Sequence, residues 1–177
     1  IRIRSYVDSG DNFLEVKTKN NRGQTDKKRI PVDAFDPFKP QYNIIFSGDV
    51  YDDKPNCVDF LKEYLYYSPV TLKESLEIRV DRITLVNKKK TERLTIDVNV
   101  NFLNTYTGIT KSLEKLAVIE LKRDGLVYSP VLEMLRTLRI LPMGFSKYCI
   151  GSAITNLALK RNRILPKLRQ IEKISVV

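Results

Sequence analysis

Histidine and tryptophan are missing from all 177 residues, and cysteine occurs only twice. Without histidine, the commonest general base, the Ser-His triads and the usual zinc sites drop out of consideration. Catalysis, if there is any, falls to Lys, Arg, Asp, Glu or Tyr. Cys57 and Cys149 stand far apart in the chain, which suggests neither a disulfide scaffold nor a cysteine metal knuckle. They fit a reducing compartment and are expected to be buried thiols. No apolar run approaches the roughly 18 residues of a membrane-spanning helix, and no signal-peptide pattern is visible, so the chain reads as soluble.

What is abundant is positive charge. Lys and Arg number 31 against 21 Asp and Glu, a net charge of +10. Such a surplus concentrates anions: nucleic acid, acidic membrane or polyphosphate. Composition cannot choose among them, but the placement of the charges can. With 42% hydrophobic residues, the length suits one compact domain, 1–177, with a real core.

Ile1 to Val7 alternates with period two, Ser9-Gly10-Asp11 makes a turn, and a second alternating run follows, which together predict a hairpin. Phe13, Glu15, Lys17 and Lys19 then share one strand face, while Leu14, Val16 and Thr18 share the other. Thr25 to Val32 repeats the pattern, with Lys27 and Arg29 opposite Lys28, Ile30 and Val32. Pro37 and Pro40 punctuate a loop, and Asn56 to Tyr67 reads as a helix capped by Asn56. Strands resume at Leu76 to Leu85, and a lysine-rich turn leads into Glu92 to Phe102. There Leu94, Ile96, Val98, Val100 and Phe102 are expected on one face, opposite Arg93, Thr95, Asp97, Asn99 and Asn101. Leu116 to Lys122 obeys the same rule, making six strands. Pro130 to Leu138 behind a Ser129 cap, Lys147 to Leu159, and Ile164 to Ile174 in a basic tail read as helices. Helices are expected to cover the apolar strand faces. Gly151 permits close helix approach, and Tyr148 packs.

The polar faces are not ordinary solvated mixtures. Arginine recurs at Arg2, Arg4, Arg29, Arg82 and Arg93, and its planar fork grips phosphate oxygens where lysine supplies a point charge. Carboxylates are few and sit beside cations. Glu15 with Lys17, and Glu120 with Lys122, each form a Glu-x-Lys pair on one face. Such a pair suits either an ion pair or an oxygen-ligated divalent metal next to phosphate. Asp97 reads as a group that orients neighbouring arginines.

Arg2-Ile3-Arg4, Phe13-Leu14-Glu15-Val16-Lys17, Val80-Asp81-Arg82, Arg93-Leu94-Thr95-Ile96-Asp97, Ala117-Val118-Ile119-Glu120-Leu121-Lys122 and Phe145-Ser146-Lys147-Tyr148 occur in that order. The ordered set resembles the vacuolar transporter chaperone domain, including its bacterial relatives, over nearly the whole chain. The resemblance implies an α+β triphosphate tunnel fold, an antiparallel β-barrel with flanking helices. It also implies transfer of the ATP γ-phosphoryl group to a growing polyphosphate chain with Mn2+ or Mg2+. Carried over, Arg2, Arg4, Lys17, Lys27, Arg29, Arg82 and Arg93 bind phosphates. Glu120 is the principal metal ligand, with Glu15 and Lys122 in support, and Ser146 and Lys147 contact the chain from a helix start.

Three departures from the family pattern stand out. Gly144 stands where a lysine is frequent and Val80 where a tyrosine is. The chain also opens inside the first Arg-x-Arg strand, so the first strands of the barrel are expected to be missing. Six strands are few for a closed tunnel, and an exposed edge favours self-association. ATP, triphosphate and polyphosphate are the expected ligands, in the cytoplasm, with membrane-associated subunits as further partners. A polyphosphate sensor and a tunnel-type triphosphatase remain as alternatives. A nucleic-acid module would need stacking aromatics beside its cations, and only Tyr6 and Phe13 approach that arrangement.

Overall fold

Alternation at the start of the chain is realised as three antiparallel strands, β1 (Arg2–Tyr6), β2 (Asp11–Lys19) and β3 (Thr25–Pro31), in spatial order β1-β2-β3. The computed structural model describes residues 1–32 and 57–175; the expected Pro37 and Pro40 loop and the Asn56 cap lie outside them. Two compact units are present, Ile1–Lys73 and Glu74–Val177.

In the first unit the β1–β2 turn closes through Gly10 at φ +70°, a conformation in which glycine alone is unstrained. Leu14 and Val16 on the inner face of β2 are buried against Leu61 of helix α1 (Cys57–Tyr64), with Ile3, Ile30 and Val32 packed around them. Helix α1 therefore covers the apolar face of this sheet and leaves the cationic face open.

The second unit is built on β5 (Glu92–Asn104), which pairs along one edge with β4 (Leu76–Val86). Its other edge is shared. β6 (Thr110–Leu113) takes the C-terminal half of β5 and β7 (Val118–Arg123) the N-terminal half. β6 was not foreseen, because four residues give too short a run for its period to be read. Helices α2 (Pro130–Thr137), α3 (Lys147–Thr155) and α4 (Leu165–Ser175) follow. The Ser129 cap is realised, its Oγ accepting from the Leu132 N–H at 3.0 Å.

β5 is not the uniformly two-faced strand that its alternation suggests. Asp81 lies opposite Val98 but Arg79 opposite Asn101, so two steps on β4 match three on β5. The extra residue makes a β-bulge around Asn99, which adopts φ +51°. Asparagine is among the few residues that tolerate this region. Its side chain donates to Asp81 Oδ2 at 2.7 Å. Beyond the bulge the faces exchange: on one side Thr95 and Asp97 are buried before it and Val100, Phe102 and Asn104 after it, while Leu94 is buried on the other side. Val100 and Phe102 therefore share a face with Asp97, opposite to the face of Leu94 and Ile96.

That face is half apolar and half polar. Ile150 and Ala153 of α3, Leu168 and Ile171 of α4, and Leu113 and Leu116 close over Val100 and Phe102. The helices thus cover the apolar half of the polar face. The opposite face carries Leu94, Ile96 and Val98 and, past the bulge, Asn101 and Leu103, and it keeps Ile83, Leu85 and Ile119 exposed. Gly151 makes the α3 contact possible, since a Cβ there would stand 2.7 Å from Phe102 Cε1 and 2.8 Å from a Leu76 methyl. At the far end of α3, buried Asn104 donates to Thr155 Oγ1 at 3.1 Å. Its own Oδ1 accepts from the Tyr106 and Thr107 backbone.

Gly151→Ala is expected to destabilise the second unit by about 1–3 kcal/mol through overpacking, read as a lower denaturant midpoint. An unchanged midpoint would mean that Phe102 has room to move.

Candidate functional site

On the open face of the first sheet the register sets cations in rows. Lys17 is opposite Lys27, Glu15 lies between Arg2 and Arg29, and Phe13 lies beside Arg4. The side chains of Arg2, Arg4, Glu15, Lys17, Lys27 and Arg29 therefore project to one side, as expected. Their pairing differs from the expectation. Glu15 does not pair along its own strand with Lys17; Arg2 Nε contacts Glu15 Oε2 at 2.5 Å from β1, and Lys27 pairs with Oε1 from β3. Arg2 is directly opposite Glu15 and so closer than a same-strand neighbour two residues away, while Lys27, opposite Lys17, reaches Glu15 diagonally along its long side chain.

Glu15 is fully buried. Burial pushes its carboxyl up, but the hydrogen bonds from Lys27 and Arg2, with the Arg2 and Arg4 charges, outweigh this and hold it at about 2. Both oxygens are thus engaged by cations, and in this arrangement Glu15 anchors Arg2 and Lys27. Arg4, Lys17 and Arg29 have no carboxylate in ion-pair contact among the described residues. Burial and the Arg2, Arg4 and Lys27 charges push the Lys17 ammonium down, against the pull of Glu15. Five cations around one neutralised carboxylate form a strongly anion-attracting surface.

The polar half of the second sheet repeats the scheme. Arg82 forks onto Asp97, Nε to Oδ1 at 2.6 Å and Nη2 to Oδ2 at 2.8 Å, and Lys147 Nζ reaches Oδ2 at 2.5 Å. The expectation that Asp97 orients an arginine holds, and it holds a lysine as well. Burial raises the Asp97 carboxyl, but the Arg82 and Lys147 hydrogen bonds and charges lower it overall. Arg93, Thr95 and Asp97 stand opposite Lys122, Glu120 and Val118 of β7, which brings Arg93, Glu120 and Lys122 onto the same face. Glu120 and Lys122 are exposed and paired at 3.3 Å.

Ser146 caps α3, its Oγ accepting from the Cys149 N–H at 3.3 Å. The first-turn N–H groups of α3 then point outward beside Lys147, a favourable position for an anion. Cys149, expected to be buried, is exposed, and Cys57 is half-buried. Tyr148 is exposed, its hydroxyl 3.3 Å from Ser75 Oγ.

One cation was missed. Lys167 on α4 is half-buried and sets its ammonium against Gly144, where a Cβ would stand 3.2 Å from Nζ. The basic tail gave no sign of it, because its many Lys and Arg look alike in sequence. Among the described residues no three acidic, Cys or His side chains gather. Glu120, a single exposed carboxylate beside Arg93 and Lys122, fits the way magnesium or manganese is held by one or two carboxylates, water and substrate phosphate. Glu15, with both oxygens engaged, fits less well. No described helix is long and apolar enough to cross a membrane.

A family model described as the VTC domain matches residues 1–156. No curated protein matches the chain, and no solved structure does.

Glu15→Gln is expected to cost about 1–3 kcal/mol at neutral pH, because Arg2 and Lys27 then face each other without a counter-charge. The Glu15 carboxyl is depressed from 4.5 to about 2, so its stabilisation is present above pH 4.5 and fades as pH falls through about 2. The gap in melting temperature between wild type and variant should close over that window. A gap independent of pH would show that Glu15 stabilises by packing instead.

Proposed function

The chain belongs to the VTC domain family, and from that premise we propose that it is a polyphosphate polymerase domain that moves the terminal phosphoryl group of ATP onto a polyphosphate chain. The observation that carries this reading is the use of buried carboxylates to fix cations. Glu15 holds Arg2 and Lys27, Asp97 holds Arg82 and Lys147, and the remaining charge faces outward for an anion. The closed triphosphate tunnel belongs to the same reading, as do a cytoplasmic location and membrane-associated partner subunits.

Phosphoryl transfer asks the protein for alignment and charge neutralisation more than for covalent chemistry, so a site without histidine suffices. Arg2, Arg4, Lys17, Lys27 and Arg29 of the first sheet bind phosphate oxygens, and Arg82, Arg93, Lys122 and Lys147 of the second unit do so, with Ser146 and the α3 N-terminus. Lys167 adds a cation where Gly144 leaves room. A terminal polyphosphate oxygen forms a bond to the γ-phosphorus as the bond to the ADP oxygen breaks, and the cations take up the charge that develops. Glu120 would hold Mn2+ or Mg2+, which would supply further neutralisation of phosphate charge.

A second reading is a polyphosphate-binding domain without turnover. It is favoured by the neutralised state of Glu15 and Asp97, which leaves Glu120 as the one open carboxylate among the predicted site residues. Incubation with ATP and manganese or magnesium, resolving polymer and free phosphate, separates the readings. Polymer is expected, and Glu120→Ala and Lys147→Ala should each lower its rate about 100-fold or more. Free phosphate without polymer would instead indicate a triphosphatase, and tight polyphosphate binding without turnover a sensor.

Lys167→Gln should weaken tripolyphosphate binding by about three- to tenfold, the loss of one charge-assisted contact, with stability unchanged. Unaltered binding would remove Lys167 from the cradle.

A further inference from the structure

The cationic face of the first sheet changes character at one end. Along β1 the same-side residues run Arg2, Arg4, Tyr6, and along β2 they run Lys17, Glu15, Phe13. Charged rows therefore give way to an aromatic pair. Tyr6 and Phe13 meet edge to face at 6.3 Å between ring centroids, an arrangement that fixes both rings. The Arg29 guanidinium lies over Phe13 at 4.4 Å, and Arg4 lies 5.8 Å from the Tyr6 ring centre. Arg4 Nη1 also donates to the Tyr6 hydroxyl at 3.0 Å. Tyr6 remains 38% exposed, although a ring of that size placed only to fill space would be covered.

We propose that this end of the sheet is a nucleobase subsite: the base of a nucleoside triphosphate stacks on Tyr6 and the Arg29-capped Phe13 while its phosphates run along the cation rows. The inference rests on the polymerase reading and adds to it how the donor is distinguished from inorganic triphosphate. Three features support it. Aromatic rings and guanidinium planes are the surfaces on which proteins stack bases. Successive same-face rows lie about 6.5–7 Å apart, two residues of strand rise, so Lys17 and Lys27, then Arg2 and Arg29, then Arg4 and Phe13 form a continuous track. Within those rows the carboxylate is Glu15, turned toward Arg2 and Lys27 so that it does not repel phosphate, and Asp11, opposite Tyr6 in the next row, accepts from the Ser9 hydroxyl.

Stacking is tolerant of base identity, so the site selects nucleotides over bare phosphate chains more strongly than it selects adenine over guanine. Arg4 sits between the two parts. It touches Tyr6 and belongs to the row next to Arg2, which places a cation where the phosphate nearest the base must lie.

The test compares dissociation constants of ATP, GTP, inorganic tripolyphosphate and a short oligoadenylate for the whole chain, by calorimetry, in wild type, Tyr6→Leu and Tyr6→Phe. The expected result is that ATP and GTP bind about tenfold or more tightly than tripolyphosphate. Tyr6→Leu erases that advantage without weakening tripolyphosphate, and Tyr6→Phe preserves it. Equal binding of ATP and tripolyphosphate by wild type would overturn the subsite and leave the polyphosphate reading intact, and it needs no variant to fold. Equal weakening of both ligands in Tyr6→Leu would also overturn it, by making Tyr6 a support for Arg4 alone. Oligoadenylate binding more tightly than ATP would overturn it in favour of a single-stranded nucleic-acid surface. Binding of none of these ligands would overturn both proposals.

Discussion

A carboxylate taken out of water is costly unless cations meet it with good geometry, and Asp97 is buried at the point where β4, β5 and α3 converge. Arg82 takes both of its oxygens with a planar fork, and Lys147 takes the second oxygen again from the first turn of α3. Each partner needs the carboxylate for a different reason. Arg82 gains a fixed direction from the fork, and Lys147 stands at the positive end of a helix dipole, where a cation is otherwise disfavoured. Asp97 thereby sets the height and direction of α3 over the sheet. The packing of Ile150 and Ala153 on Phe102, and the close approach at Gly151, follow from that placement.

Glu15 solves the same problem in the first unit with strands alone, drawing Arg2 and Lys27 from the two neighbours of β2. In both places a buried acid is used to hold cations still. Held cations lose little freedom when they meet an anion, which is the advantage a phosphate site gains from preorganised charge. Two buried carboxylates are used in this way to fix cations, and Glu120 stays exposed with Lys122.

Much of this was legible beforehand. The two faces of β2 and β3, the Ser129 cap, and Gly151 as a contact glycine follow from short-range rules, and the structure realises each. The orienting role of Asp97 was legible as well, though its second partner was not, because Lys147 lies far away in sequence. Glu15 with Lys17 was the natural same-strand pairing, but β1 and β3 bring nearer cations from either side. Exposure of Cys149 also escaped composition, since free cysteine is ordinarily buried; here it sits on the side of α3 turned away from Phe102.

The instructive failure is β5. Leu94 to Phe102 alternates without a break, and alternation fixes the faces of a strand only while every residue is paired in register. The bulge at Asn99 inserts one residue and moves Val100 and Phe102 onto the face of Asp97. The amino-acid sequence by itself determined the α+β class, the strand faces of the first sheet, the excess of cations and the family likeness, all of which rest on local periodicity and residue chemistry. Only the tertiary structure decided which cation meets which carboxylate, where β5 reverses its faces, and that Lys167 fills the space at Gly144. Those outcomes depend on cross-strand register and helix docking, and neither is encoded at short range.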